Sequence, residues 1–137
     1  RAGYLNELKQ LTKQLNLEKK VTFVGKKTQP ELKTLYQLAD IFVYPSLYEN
    51  FGQPLLEAAA HGLPLISTSV GIARDIIIEG ETGYQISGKP EEIKERIESL
   101  RDSNLRLQMG KRIQNEVKNR FDWGNIMDQY MNLYRSL

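Results

Sequence analysis

The stretch Ile41–Thr68, IFVYPSLYENFGQPLLEAAAHGLPLIST, decides the fold of this chain. It opens with an apolar run, Ile41–Tyr44, and closes with a second one, Pro64–Thr68. Between them we predict a helix at Pro54–His61, because proline is favoured at a helix start and Gly62 follows its end. A strand, a helix and a second strand in this order form the repeating unit of a parallel sheet.

The same alternation continues on both sides of this stretch. Most of the strands are short and apolar throughout, which is typical of a sheet covered on both faces. The fold class predicted is α/β, a Rossmann-like parallel sheet with helices on both faces, in one domain spanning residues 1–137. Further helices are predicted at about residues 5–16, 28–38, 72–78, 92–100, 105–120 and 123–137, and further strands at 21–24 and 84–87.

Composition excludes several classes of function. The chain has 19 basic and 17 acidic residues, and a net charge of +2 does not favour nucleic-acid binding. It has no cysteine, which excludes disulfides and thiolate metal sites and favours a reducing compartment. No apolar run approaches the roughly 20 residues of a membrane span. The N-terminus Arg1–Tyr4 has neither an initiator Met nor a signal-peptide pattern, so we expect the chain to be part of a longer protein.

In such sheets, ligands bind beyond the carboxyl ends of the strands, and four loops qualify. The loop from Pro45 to Gln53 is the longest and leads into a helix N-terminus, where backbone N–H groups and the helix dipole favour anions. The N–H groups of Gln53, Leu55 and Leu56 are candidate donors for a diphosphate, and Gly52 permits close approach to the backbone. A bare helix cap is the more frequent alternative. The other three loops are residues 25–27, 67–71 and 87–89.

Glu57 is the one charged residue in the apolar segment Leu55–Ala60. The composition predicts a helix that is buried nearly all round, where an unpaired carboxylate is costly. Ligand hydroxyls are one set of donors that would satisfy it. The alternative is structural, with Glu57 capping nearby N–H groups or pairing with Lys26 or Lys27.

Glu49–Glu57, ENFGQPLLE, resembles the E-x7-E motif of retaining GT-B glycosyltransferases, most closely glycosyltransferase family 4. The flanking segments resemble the family too, and the similarity runs over nearly the whole chain. These segments are LADIFVYPS at 38–46, AAAHGLPLI at 58–66, ETGY at 81–84, and the tail with FDW at 121–123, Tyr130 and Leu133-Tyr134. The resemblance implies the C-terminal, donor-binding half of a GT-B enzyme.

The resemblance also implies roles for individual residues. Glu49 corresponds to the first motif glutamate, beside the donor sugar and its reacting centre, and Glu57 to the second, which accepts hydrogen bonds from the ribose hydroxyls. The backbone of residues 50–53 is expected to hold sugar hydroxyls and phosphate oxygens. Leu55 is placed near the ribose, although core packing is favoured for it. The residues expected to bind the donor are Asn50, Phe51, Gly52, Gln53, Leu55 and Glu57, with Gly25 and Lys26 near the base.

The activity implied is sugar transfer from a UDP- or GDP-sugar with retention of configuration. No cofactor and no metal are expected, since fixed N–H donors and a helix dipole suit the leaving diphosphate. Family members carry an N-terminal acceptor-binding domain, a first strand and a basic Arg/Lys pair before the part matched here. We therefore expect the acceptor, whether a sugar, a lipid-linked sugar or a protein, to bind through that missing domain, and this chain alone to be inactive. The usual setting is polysaccharide biosynthesis in the cytoplasm or at the inner face of the membrane.

Two other functions are alternatives, and both are disfavoured because the stretch from Pro45 to Glu57 follows the transferase pattern and both motif glutamates are present. One is a non-catalytic nucleotide-binding module, and the other is a nucleotide-sugar 2-epimerase of similar architecture. His61, the only histidine, is expected to cap a helix end rather than to bind metal. The basic residues of the segment 111–120 favour a solvated helix face over contact with an anionic membrane.

Overall fold

The computed structural model describes residues 2–137, and these fall into two compact units. The first unit ends at Leu32, and the second runs from Lys33 to Leu137. None of the helices described combines the length and the apolar character that crossing a membrane requires. Single-domain organisation over residues 1–137 stays a prediction.

Seven helices and three strands are assigned along the described residues, within a few residues of the predicted positions except at 21–24. In chain order they are α1 (Ala2–Gln14), α2 (Gln29–Leu38), β1 (Phe42–Tyr44), α3 (Gln53–Ala60), β2 (Leu65–Thr68), α4 (Ala73–Ile76), β3 (Gly83–Ile86), α5 (Pro90–Ser99), α6 (Ser103–Phe121) and α7 (Trp123–Arg135).

The start of α2 is fixed by hydrogen bonds between Thr28 and Glu31. The Glu31 carboxylate accepts hydrogen bonds from the backbone N–H and the hydroxyl of Thr28, at 2.9 and 2.7 Å. This is the reciprocal arm of a capping box, in which a glutamate satisfies the N–H of the residue before the helix. These bonds, together with the Lys27 ammonium at 3.3 Å, lower the pKa of Glu31 to about 2.

The predicted strand at Val21–Val24 is wrong. These residues form no strand in the structure, and Val21, Phe23 and Val24 have exposed fractions of 39%, 39% and 46%. A strand exists only where its backbone groups pair with a neighbouring strand. The sheet of the described residues holds β1, β2 and β3 alone, so the apolar pattern of this segment has no pairing partner there.

The three strands form one parallel sheet in the order β1-β2-β3, which confirms the predicted α/β class. Ile66 of β2 lies between Val43 of β1 and Tyr84 of β3, so these side chains share one face of the sheet. That face packs against Leu100 and Met109, which are almost fully buried. Ile93 of α5 joins the same cluster, which places α5 over this face.

α3 packs against β1, β2 and α6. The α3–α6 contact is so close that a methyl group at Gly110 would overlap the carbonyl oxygen of Gly62. The prediction that α3 is buried nearly all round is wrong. Leu55, Ala58 and Ala59 are buried, whereas Gln53 and Ala60 are exposed and the remaining residues are half-buried. One side of α3 therefore faces solvent, and Glu57 is on the border.

Candidate functional site

The carboxyl ends of the strands bring three of the four predicted loops of the chain to one edge of the sheet. Tyr44 is in register with Ser67, and Thr68 is in register with Ile86. The Thr68 hydroxyl donates to the carbonyl of Ser46, and the Ser67 hydroxyl lies within hydrogen-bonding distance of the carbonyls of Tyr44, at 3.2 Å, and of Thr68, at 2.9 Å. Side chains at the end of β2 thus hold the start of the loop that follows β1.

A second contact fixes the far end of that loop. The Ile72 N–H donates to the Phe51 carbonyl at 2.7 Å, and Gly71 lies directly against the same residue. The Gly71 backbone has φ +48°, and a Cβ there would come within 2.5 Å of the Phe51 oxygen. A side chain at Gly71 would collide with the Phe51 backbone, so glycine lets the loop after β1 and the loop after β2 lie in direct contact as one wall.

We expect Gly71→Ala to destabilise the protein by about 1–3 kcal/mol, because the new methyl group meets backbone that cannot rotate away. Gly80→Ala is the matched control, since Gly80 also has positive φ, +75°, but has open space around its Cβ direction. Thermal unfolding of the two variants measures the difference. An equal loss of melting temperature in both would show that only the backbone conformation matters and that the Phe51 contact does not.

Glu49 lies half-buried in this wall, and its carboxylate is held from two directions. The Tyr44 hydroxyl donates to Oε2 at 2.6 Å, and the Asn50 N–H donates to Oε1 at 3.0 Å. The Tyr44 hydrogen bond, followed by backbone hydrogen bonds from Asn50, Phe51 and Gly52, lowers the pKa of Glu49. Glu49 is therefore an ionised carboxylate with a fixed orientation at neutral pH.

The same contacts occupy backbone N–H groups that were expected to bind the donor. The backbone N–H groups of residues 50–52 face the Glu49 carboxylate, and the N–H of Leu55 donates to the Gly52 carbonyl at 2.9 Å. Leu55 was one of the three N–H donors predicted for a diphosphate, and here it is engaged within the helix. Gly52 has φ +85°, and the groups closest to its Cβ direction are side-chain atoms of Leu55 and Glu49.

Glu57 is half-buried on α3, and its carboxylate has two donors of its own. The Tyr36 hydroxyl donates to Oε2 at 3.1 Å, and the Gln53 side-chain amide donates to Oε1 at 3.2 Å. Each oxygen of a carboxylate has two lone pairs, so both keep capacity for further hydrogen bonds. Burial, followed by the hydrogen bond to Glu57, raises the pKa of Tyr36 to about 12, so that this phenol remains a donor.

An open cleft of about 490 Å³ runs along the two loops. Its lining includes Glu49, Asn50 and Phe51, together with Arg74 and Asp75. Phe51 and the neighbouring Tyr48 expose 51% and 79% of their surface. The cleft combines carboxylates, a guanidinium and aromatic rings, a set that can bind a polar ligand with hydroxyl groups.

The remaining predicted site residues are placed as follows. The Leu55 side chain is fully buried, which fits the core-packing role. His61 caps the end of α3, as expected, and its Nδ1 lies 2.8 Å from the Glu57 carbonyl oxygen. Gly25 and Lys26 lie exposed in the first unit. Contact of any of these residues with a donor stays a prediction.

The sequence analysis missed Tyr44 and Tyr36, the two hydroxyl donors to the motif glutamates. Tyr44 is separated from Glu49 by five positions and Tyr36 from Glu57 by 21, and neither separation is a helical or strand spacing that brings side chains together. The usable signal was a phenol at the end of a predicted strand, next to a loop that carries a carboxylate.

Comparison with known proteins gives a consistent result. The family model described as "Glycosyl transferases group 1" matches residues 2–116. The chain is 35% identical over 127 residues to N-acetyl-alpha-D-glucosaminyl L-malate synthase of Bacillus anthracis, covering 91% of this chain and 33% of that protein.

Two solved structures have a similar fold. Sucrose-phosphate synthase from Thermosynechococcus elongatus superposes with a TM-score of 0.83 at 32% identity, covering 96% of this chain and 33% of that one. Anabaena Alr3699/HepE in complex with UDP superposes with a TM-score of 0.89 at 26% identity, covering 99% and 38%. The latter protein has also been solved with UDP-glucose. The chain spans about a third of the length of the curated relatives it matches.

Proposed function

Because the chain belongs to the glycosyl transferases group 1 family, we propose that the intact protein transfers a sugar from a nucleoside-diphosphate sugar to an acceptor. The observation that carries this proposal is the state of Glu49. Its carboxylate is ionised and accepts hydrogen bonds from Tyr44 and Asn50. It lies in a cleft at the carboxyl ends of the strands, immediately before the N-terminus of α3. That is where an α/β sheet binds its ligand.

The chemistry of transfer fits this arrangement. Departure of a nucleoside diphosphate leaves positive charge on the anomeric carbon and negative charge on the phosphate. A fixed carboxylate stabilises the first charge, and the positive end of the α3 dipole stabilises the second, without reorganisation during the step. We propose that transfer retains the anomeric configuration and needs no metal ion, in line with the family that the E-x7-E pattern resembles.

Glu57 is proposed to bind the nucleotide part of the donor. Its carboxylate is half-buried and fixed by Tyr36 and Gln53, and two hydroxyls of a ribose are the ligand groups that would complete its hydrogen bonding. The complexes of Alr3699/HepE with UDP and UDP-glucose support a uridine nucleotide as the first candidate. GDP is the alternative to be compared with it.

This chain is proposed to supply the donor half of the enzyme. Its matched relatives are about three times as long, so the acceptor site and part of the phosphate site are assigned to sequence outside these residues. The acceptor, whether a sugar, a lipid-linked sugar or a protein, is proposed to bind there. The residues 1–137 alone are then expected to be inactive.

The test is turnover by the intact protein with UDP- and GDP-sugars and a panel of acceptors. We expect a product whose anomeric configuration, determined by NMR, equals that of the donor. We also expect that excess EDTA changes the rate by less than about twofold, because the leaving group is stabilised by the protein itself.

Each part of the proposal can fail separately. A product of inverted configuration would contradict retention. A rate abolished by EDTA and restored by a divalent cation would contradict metal independence. Tight nucleotide binding with no transfer or hydrolysis of any donor would favour a binding module instead.

A further inference from the structure

Four aromatic rings form a row that includes two residues of β1. Two members of this row contact the two motif glutamates. The ring of His61 stacks on Tyr36 with centroids 5.2 Å apart, and Tyr36 meets Phe42 edge-on at 5.9 Å. Phe42 in turn stacks on Tyr44 at 5.9 Å. Aromatic contacts of this geometry fix the orientation of each ring beyond what burial alone achieves.

The two phenol hydroxyls of this row point to different carboxylates. Tyr44 donates to Glu49 at 2.6 Å, a length typical of a hydrogen bond between a hydroxyl and an ionised carboxylate, and Tyr36 donates to Glu57 at the longer distance of 3.1 Å. The hydrogen bond to Glu49 raises the pKa of Tyr44 to about 12. Both tyrosines therefore keep their protons, and so their donor role, throughout the neutral pH range.

We infer that Tyr44 and Tyr36 are positioning residues, which use one shared aromatic row to set the orientation of Glu49 toward the reacting sugar and of Glu57 toward the nucleotide. This inference rests on the proposed function of the two glutamates. It adds that each carboxylate depends on a specific hydroxyl, and that the two hydroxyls serve different steps.

The physical reason is the flexibility of a glutamate side chain. Glu49 follows two exposed residues, Leu47 and Tyr48, with exposed fractions of 88% and 79%, and its other donors are backbone N–H groups of its own loop, at residues 50–52. The phenol ring is restricted by its stacking on Phe42, and its hydroxyl transmits that restriction to Oε2. A catalytic group held this way reaches its working geometry without an entropic cost during the reaction.

The first test is Tyr44→Phe in the intact protein. The variant keeps the ring and its stacking but removes the hydroxyl. We expect kcat to fall by about 10-fold or more, since a hydrogen bond to a charged group is lost, while KM for the donor changes by less than about twofold.

The pH dependence of kcat gives a second readout of Tyr44→Phe, which a merely structural role would not move. Tyr44 lowers the pKa of Glu49, so its removal should shift the acidic limb of the profile to higher pH. The other charged groups that line the cleft with Glu49 are Arg74 and Asp75, and neither is altered in this variant.

The second test is Tyr36→Phe, for which a different parameter should change. We expect the Kd for UDP, measured by calorimetry, to rise by roughly 3- to 10-fold, with a smaller effect on kcat at saturating donor. Tyr130→Phe, which removes a hydroxyl from an exposed ring on α7, is the control for both variants and should change neither parameter.

The outcomes separate this inference from the proposed function. If Tyr44→Phe melts like the wild type and keeps its kcat and pH profile while Glu49→Ala is inactive, the positioning role is wrong and the proposed function stands. If Glu49→Ala itself retains turnover, the proposed function fails first. Should Tyr44→Phe melt at a lower temperature, the pH profile of the folded enzyme decides, because loss of folded protein scales all rates equally and leaves the acidic limb in place.

Discussion

Replacing Glu49 by glutamine in the intact protein is expected to lower kcat by roughly 10²- to 10⁴-fold, the range in which positioned catalytic groups contribute. Glutamine has nearly the same shape, and its carbonyl oxygen still accepts from Tyr44. What disappears is the negative charge beside the developing positive charge of the sugar. Steady-state rates with saturating donor and acceptor measure the effect, and KM for the donor should change far less.

A matched carboxylate elsewhere in the chain serves as the control. Glu98 on α5 is exposed, and Glu98→Gln removes the same charge at a distance from the loops of the site. We expect that variant to retain full activity. If Glu49→Gln keeps kcat within about twofold of the wild type, Glu49 is a structural cap for the N–H groups of residues 50–52, and the catalytic assignment is wrong.

The structural alternative for Glu49 has a physical basis. Its carboxylate accepts the N–H of Asn50, and the N–H groups of Phe51 and Gly52 also lower its pKa. These are the same backbone groups that the sequence analysis assigned to sugar hydroxyls and phosphate oxygens. A ligand that binds them must either displace Glu49 or share them with it, so the two assignments are coupled.

The sequence predicted the sheet and helices of residues 33–137 well, because local and long-range preferences agree there. β1 and the first half of β2 are apolar on both faces, each strand is bounded by proline at one end, and α3 begins with Gln53-Pro54 and ends before Gly62. Turn residues, helix punctuation and burial all favour the same structure in this part of the chain. Boundaries consequently moved by only a few residues.

The failure at Val21–Val24 has the opposite cause. Its apolar, β-branched composition is typical of a strand, but strand formation depends on a partner that local sequence does not reveal. The prediction that α3 is buried nearly all round failed for a related reason. Six residues of sequence cannot show which neighbours will cover a helix, and α3 leaves Gln53 and Ala60 exposed although it contacts β1, β2 and α6.

The tyrosine–glutamate pairs were invisible to sequence analysis, because they join residues on different elements through the tertiary fold. Tyr44 reaches Glu49 across the turn of the loop, and Tyr36 reaches Glu57 from α2 to α3. The sequence did indicate that Glu57 requires hydrogen-bond donors, since it is a carboxylate on a largely apolar helix. The donors found in the structure are protein groups, so the Glu57 carboxylate has hydrogen-bond partners without a bound nucleotide.

Replacing Glu57 by alanine is expected to raise the Kd for the nucleotide by roughly 10- to 100-fold, because hydrogen bonds from ribose hydroxyls to a charged carboxylate are lost. Calorimetric titration of the intact protein with UDP and GDP measures it. The kcat at saturating donor should fall much less, since the ribose is bound equally in the ground and transition states.

Gln53→Ala separates the ribose role of Glu57 from its structural role. That variant removes the side-chain amide that donates to Oε1 but leaves the carboxylate and its Tyr36 contact in place. Nucleotide affinity should then change by less than about threefold, since Tyr36, whose ring is held in the aromatic row, still orients the carboxylate. If Glu57→Ala lowers only the melting temperature and leaves the Kd unchanged, Glu57 does not bind the nucleotide, and its role is the structural one of accepting hydrogen bonds from Tyr36 and Gln53. The half-buried carboxylate would then stabilise the contact between α2 and α3, and the nucleotide would have to be held elsewhere.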